Sequence, residues 1–369
     1  KLDSSGLLKR IQQVIREAVT PAWVTNPPPD VGLAKAGTLK AEHWRTLFAI
    51  HVPLAVLSLW NEGSPLASPD AQRMTSVMET VMYLTCASLI MTKHTLSADR
   101  RNLYRHLLRL HVLGLKKDFP GWIFPTHHLA FHIFEGMDLF SSVRHWWLFP
   151  FERLIGKLQR IPTNHITGQF EHTMQHSFYK GSNYRQYLLR PNSPPILRYC
   201  QQLLDKAYNY DHRPSPPSIP SPSNDDVDDY DNIPTPSGLK KLLVVEPFQC
   251  FSRIPGPEGD YTIPSEGTLG SSYICFQPGG DYFPGQQWQA GQIQYIFRRT
   301  YNDPIQVAIR QSLPSSEPHP FANFWPSGFE AQMVSSKFMS ALKIVDLKQI
   351  AGHTARWTIN DDFVVVINL

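Results

Sequence analysis

Residues 211–237, DHRPSPPSIPSPSNDDVDDYDNIPTPS, separate two stretches of chain written in different patterns. Proline, serine and aspartate dominate this segment, and large apolar side chains are few. It lacks the buried area that would offset an ordering entropy of roughly 1–2 kcal/mol per residue. A disordered, extended linker is expected, with an acidic island from Asp225 to Asp231. Upstream, apolar residues recur at helical spacing. Downstream, short apolar alternations are separated by Gly, Pro, Asn or Asp. The expected fold class is therefore α+β and multidomain: a helical N-terminal part, then a small antiparallel β-barrel or sandwich.

The upstream pattern predicts an amphipathic helix over LLKRIQQVIREAV, ended by Pro21, and a helix over 39–60 interrupted or kinked near Pro53. A long helix follows over 68–94, with Ser68 as N-cap and Pro69 at its first position. Another is started by Ser97 and stops before Pro120. Further helices are expected over 126–140, 150–160, 164–180 and 194–208. The apolar run 47–60 falls short of the roughly 20 residues needed to span a bilayer, and no signal-peptide core is visible near Lys1. Strands are expected over LLVVEPFQCF, SSYICF, GQIQYIFRR, IQVAIRQ, ALKIVDL, HTARWTI and FVVVINL. The boundaries are 1–120, 121–210, 211–237 and 238–369, with the flanks of the linker folding independently.

Only 18% of residues are charged and the net charge is +4, which permits nucleic-acid contact without demanding it. The four cysteines Cys86, Cys200, Cys250 and Cys275 are scattered, with no C-x-x-C, so they form no complete zinc or redox motif; reduced thiols in a nucleocytoplasmic setting are expected.

Chemistry concentrates in residues 121–160, GWIFPTHHLAFHIFEGMDLFSSVRHWWLFPFERLIGKLQR. His128 and His132 are four residues apart, which puts both imidazoles on one helix face; His127 and His132 are the other pairing. Glu152 lies in the first turn of a helix opened by Pro150. Such a position also suits any acid facing a helix dipole. Arg101, Arg105 and Arg109 recur every fourth residue on helix 97–117, and Lys157 and Arg160 follow Glu152. These cations either track a DNA backbone or form a solvated face.

The ordered run H-H-L-x-x-H, then W-W-x-F-P-F-E-R-x-x-G, then T-N-x-x-x-G-x-x-E at Thr163, Asn164, Gly168 and Glu171 resembles the end of the catalytic domain of CACTA-type transposases, the Tnp2/Plavaka group of mushroom-forming fungi, with its DUF4218-like region. Segments PGGDYFPGQQWQAGQIQYIF and MVSSKFMSALKIVDLKQIAGHTARWTI weakly resemble the conserved tail of that group, and their strand order resembles BAH-like chromatin barrels.

That resemblance implies an RNase H-like core with an all-helical insertion over 1–120. Two aspartates and a glutamate there hold two magnesium ions for phosphodiester transfer, and Glu152 matches the third acid. It also implies a structural zinc held by a histidine pair, here His128 and His132 with His127 beside them, and an upstream cysteine pair this chain lacks. Arg153 would meet phosphate or Glu171. Residues 1–120 offer Asp30, Asp99 and Asp118 but no strand to carry the first two acids. The expected function is thus a truncated transposase-derived protein with non-specific DNA binding and no autonomous strand transfer, acting in the nucleus, with a transposase-like oligomer and no membrane as partners. Two alternatives stay open. One is a host-recruited module using the tail barrel, and aromatics such as Tyr273, Trp288, Tyr295 and Trp325, for a chromatin or protein partner. The other is the C-terminal part of an active magnesium enzyme completed by an upstream segment.

Overall fold

The computed structural model describes residues 4–61, 69–163, 166–188, 232–243, 249–265, 267–279, 287–300, 302–315 and 322–369, and four positions between 196 and 203. The expected helix 194–208 and the linker up to residue 231, with its acidic island, lie outside the described residues apart from those four positions. The chain divides into two compact units, Lys1–Arg144 with Pro222–Leu369, and His145–Ser221.

In the first unit the helices are α1 (Ser4–Glu17), α2 (Ala41–Thr46), α3 (Val52–Asn61), α4 (Pro69–Met91), α5 (Ala98–Asp118) and α6 (Pro125–Phe140). Ser97 caps α5 as expected, accepting the Arg100 N–H at 3.2 Å. The predicted interruption near Pro53 is a π-helical turn, Leu47–His51, leading into α3. In i→i+5 geometry the Phe48 carbonyl would need an N–H from Pro53, which has none. The Thr85 hydroxyl, reaching across from α4, donates to that carbonyl instead at 3.1 Å.

The β-rich part contains β1 (Asn232–Ile233), the short helix α9 (Ser237–Leu242), β2 (Gln249–Phe251), β3 (Arg253–Ile254), β4 (Tyr261–Thr262), β5 (Tyr273–Phe276), β6 (Gln289–Arg298), β7 (Gln306–Pro314), β8 (Ala331–Asp346), β9 (Ile350–Thr358) and β10 (Phe363–Asn368). Six of these close a barrel in the order β6-β5-β9-β10-β8-β7, with β7 returning to β6, every pairing antiparallel. A fold of helical N-terminal part plus antiparallel barrel is what the sequence pattern predicts. Leu242 is a difference: it ends α9 rather than opening a strand.

Barrel strands are buried in consecutive runs, such as Val364–Ile367 and His353–Trp357, rather than on alternate residues. Ile274 and Phe276 join one core cluster and the intervening Cys275 another. A wall buried on both faces must be covered from outside. Part of the cover is the segment after α1. Val19 pairs with Arg356 of β9 through two backbone hydrogen bonds, of 2.7 and 2.9 Å. β5 occupies the same edge of β9 only as far as His353, so residues 17–23 extend that row. Ala22 N–H donates to Ser271 Oγ at 3.1 Å, Trp357 Nε1 donates to Glu17 Oε2 at 3.2 Å, and a methyl on Gly270 would collide with the Thr20 carbonyl. Residues 1–144 therefore share one compact unit with the residues that follow the linker. The amphipathic reading of α1 was incomplete: its end, and the chain after it, are part of the barrel wall.

Candidate functional site

In the second unit, α7 (Phe149–Leu158) begins where Pro150 predicts, and α8 (Phe170–Leu188) follows. Glu152 sits in the first turn of α7 and is exposed, as are Arg153, Lys157 and Arg160. By helical spacing Arg153 and Lys157 share one side, and Phe151, Leu154, Ile155 and Leu158 lie opposite; Arg160 follows in the turn after the helix. No residue of α7 is buried. No ion pair joins Arg153 to Glu171 among the described residues, so that expected contact is not made. Asn164 of the third motif lies outside the described residues.

The histidines belong to the first unit. His128 and His132 share an exposed face of α6, with Nε2 atoms 3.3 Å apart. Glu135, three residues on, accepts from His132 Nδ1 at 3.0 Å. One proton arrangement satisfies all three: His132 donates from Nδ1 and accepts at Nε2 from His128. His127 does not join them. Its Nδ1 accepts the Phe124 N–H at 2.9 Å, a bond that fixes the entry to α6, and its ring stacks on Phe124 at 5.9 Å. The reason is position: the third residue of a helix reaches back to the residue before it.

Neither metal centre fits these residues. Tetrahedral zinc needs four nitrogen or sulfur donors, and magnesium several oxygens. Among the described residues no group of three His, Cys, Asp or Glu could hold a metal ion. Burial pushes the Cys86 thiol up to about 12 and the Cys250 and Cys275 thiols upward as well, which withholds the thiolate a metal would need.

The three arginines of α5 separate into two roles. Arg101 forms an ion pair with Asp138 of α6 and lies over the Phe134 ring, so it fastens the α5–α6 hairpin. Arg105 stacks over the same ring at 5.0 Å but stays exposed, and Arg109 is exposed, beside His106 and Phe131. The row expected to meet DNA therefore begins at Arg105. Asp138 was invisible to a reading of α5 alone; its i-spacing to Phe134 on α6 was the available signal.

In the barrel, the aromatics expected to line a groove are packed. Trp288 is 2% exposed and stacks on Trp325 at 6.1 Å, and Trp325 Nε1 donates to the Ala331 carbonyl at 2.6 Å. Tyr295 packs with Leu239 and Phe297. Tyr273 and Phe338 hold a cation between them, but it is the chain's own Arg356, at 5.1 and 4.9 Å. Tyr273 is thus occupied by the chain's own side chain.

His353 is buried and fully satisfied as the neutral ring. Nε2–H donates to the Asp260 carbonyl at 3.1 Å, Nδ1 accepts from Trp23 Nε1 at 3.3 Å, and Tyr261 stacks on it at 4.4 Å. Burial lowers its pKa to about 4. His51, in the π turn, is likewise buried and lowered to about 4, with no hydrogen-bond partner for either nitrogen among the described residues. Where the helices meet the β3–β4 loop, Arg144 donates to Glu258 at 3.0 Å and His94 lies 2.6 Å from the same oxygen.

No protein-family model, no curated protein and no solved structure matches the chain. Among the described residues, no helix is long and apolar enough to cross a membrane.

Proposed function

We propose that this chain is derived from a CACTA-type transposase and binds DNA without sequence preference through its helical surfaces. In this reading α6 and α7 are the histidine and glutamate helices at the end of an RNase H-like core, and α1–α5 belong to the helical insertion. The observation that carries it is α7 itself. It carries the F-P-F-E-R end of the W-W-x-F-P-F-E-R motif, presents Glu152 from its first turn, and leaves Arg153 and Lys157 exposed, with Arg160 exposed just past its end. Arg105 and Arg109 on α5 offer a second set of exposed cations. Such groups neutralise phosphates, release counterions and read no base edges.

Strand transfer needs three carboxylates around two metal ions. Of these three acids the resemblance assigns only Glu152 to this chain, and the reading includes no cutting activity of its own. A nuclear place of action and a transposase-like oligomer belong to the same reading.

The test is a gel-shift titration of the full chain against duplexes of unrelated sequence over a range of salt. Equal affinities that fall steeply with salt are expected, and Arg105→Ala/Arg109→Ala together with Arg153→Ala/Lys157→Ala should flatten the slope. A folded protein that binds no duplex at low salt would sink the proposal. Nicking in magnesium or manganese that disappears in Glu152→Gln would overturn the absence of cutting.

A further inference from the structure

The turn joining α5 to α6 is unusual in what it exposes. Trp122 is 65% and Phe124 52% exposed. Large aromatic rings are among the costliest side chains to leave in water, and here several constraints hold them out. Gly121 adopts φ 93°, a left-handed conformation that favours glycine, and turns the chain so that the Trp122 N–H reaches the Phe119 carbonyl at 3.1 Å. Pro125 opens α6 with φ fixed. The His127 ring stacks on Phe124 and accepts its N–H, so Phe124 is braced from behind. Trp122 and Phe124 stand edge to face at 6.4 Å. The platform is held in place by backbone geometry, with no apolar core requiring it.

A cation row precedes it in the chain. Arg105, Arg109 and Lys116 are exposed on α5, and at 100° per residue they fall within one narrow side of the helix. The row spans about 16 Å at 1.5 Å per residue and ends close in sequence to the turn. Duplex DNA gives a protein phosphates outside and hides its base faces in the stack. An unpaired strand offers both phosphates and open base faces, which is what a basic track ending in exposed rings can use.

We infer that Arg105, Arg109 and Lys116 with Trp122 and Phe124 form a binding site for unpaired nucleic-acid strand, the cations tracking phosphates and the two rings stacking on bases. This rests on the DNA-binding reading above and narrows its substrate to single-stranded ends or overhangs. Lys117 is set apart from the row because its Nζ donates to Ser76 Oγ at 3.1 Å.

The experiment uses the full chain and three labelled DNAs of one sequence: a blunt duplex, the duplex with an unpaired tail, and the tailed duplex with an abasic tail. The tailed duplex should bind about ten-fold tighter than the blunt one, as one to two stacked bases would give. The abasic tail should lose that advantage in the unaltered protein. Trp122→Ala/Phe124→Ala should bring tailed and blunt duplexes to parity with blunt affinity unchanged, and Trp122→Tyr should keep most of the preference. Equal binding of tailed and blunt DNA by the unaltered protein, or an abasic tail as good as a normal one, overturns the inference while leaving the DNA-binding reading intact. Loss of all three affinities in a folded protein overturns that reading first. If the double variant keeps its preference but changes sedimentation, the turn is a contact between copies and not a strand platform.

Discussion

The seam between residues 17–23 and β9 and the outer face of the α5–α6 hairpin are both rich in polar and aromatic groups, yet they use them oppositely. At the seam, His353, Trp23, Trp357 and Glu17 are matched donor to acceptor, and His353 and Trp357 are buried. On the hairpin, His128, His132, Arg105, Arg109 and Trp122 stand in water. Buried polar groups without partners are expensive, so a matched set at the seam is what stability requires. Exposed cations and rings on a braced turn contribute little to stability, and they are where a ligand finds unspent interactions.

The largest effect that tests this contrast should come from the seam. Val19→Pro removes the N–H that donates to Arg356, and Gly270→Ala drives a methyl into the Thr20 carbonyl. Each should cost about 3 kcal/mol or more and lower the unfolding midpoint of helices and barrel together in thermal denaturation. Separate transitions for the two would show that the seam joins folds that stand alone.

Acid should act next. The neutral forms of His51 and His353 are held with pKa values of about 4, against about 6.5 when unfolded. The unfolded state then binds more protons between these values. Stability is fully present above pH 6.5 and falls as the pH drops toward 4, by about 2 kcal/mol for each histidine at pH 5. Urea midpoints measured from pH 7 to 5 should show this, and His353→Gln should remove about half of the slope. A midpoint independent of pH would mean that both rings reach water.

Arg101→Ala should lower stability by about 1 kcal/mol through the lost pair with Asp138, and should change the salt dependence of DNA binding less than Arg109→Ala does. Equal effects of the two on the salt slope would return Arg101 to the phosphate row. The smallest change is expected from His128→Ala/His132→Ala, within about 0.5 kcal/mol by denaturation. Stoichiometric zinc retained after dialysis and lost in that variant would reverse the ranking and make the pair structural.

The elements themselves were legible where local chemistry fixes them. Ser97 announced α5, Pro150 announced α7, Pro53 announced an interruption, and apolar alternation marked β5, β6, β7, β9 and β10. What stayed hidden depends on residues far apart. β8 runs unbroken from Ala331 to Asp346, but the alternation is readable only near its end, because Lys337, Ser340 and Ala341 lie on an exposed stretch between pairings. LLVV at 242–245 promised a strand, yet Leu239 and Leu243 pack with Phe297 from a helical turn. The pairing of Val19 with Arg356 has no local signal at all. For the site, the first-turn place of Glu152 followed from Pro150, and the shared face of His128 and His132 from their spacing. The defection of His127 to Phe124, and of Arg101 to Asp138, required knowing which helix lies opposite.

The strap along β9 also sets a timetable. Trp23 and its partner His353 are 330 residues apart in the chain. A ribosome releases the strap long before its berth on β9 exists, and contacts of such separation form slowly. Val14 and Ile15, buried in the finished molecule, must meanwhile be sheltered by other company. One piece of the barrel wall is thus made some 330 residues before the strand it lies against.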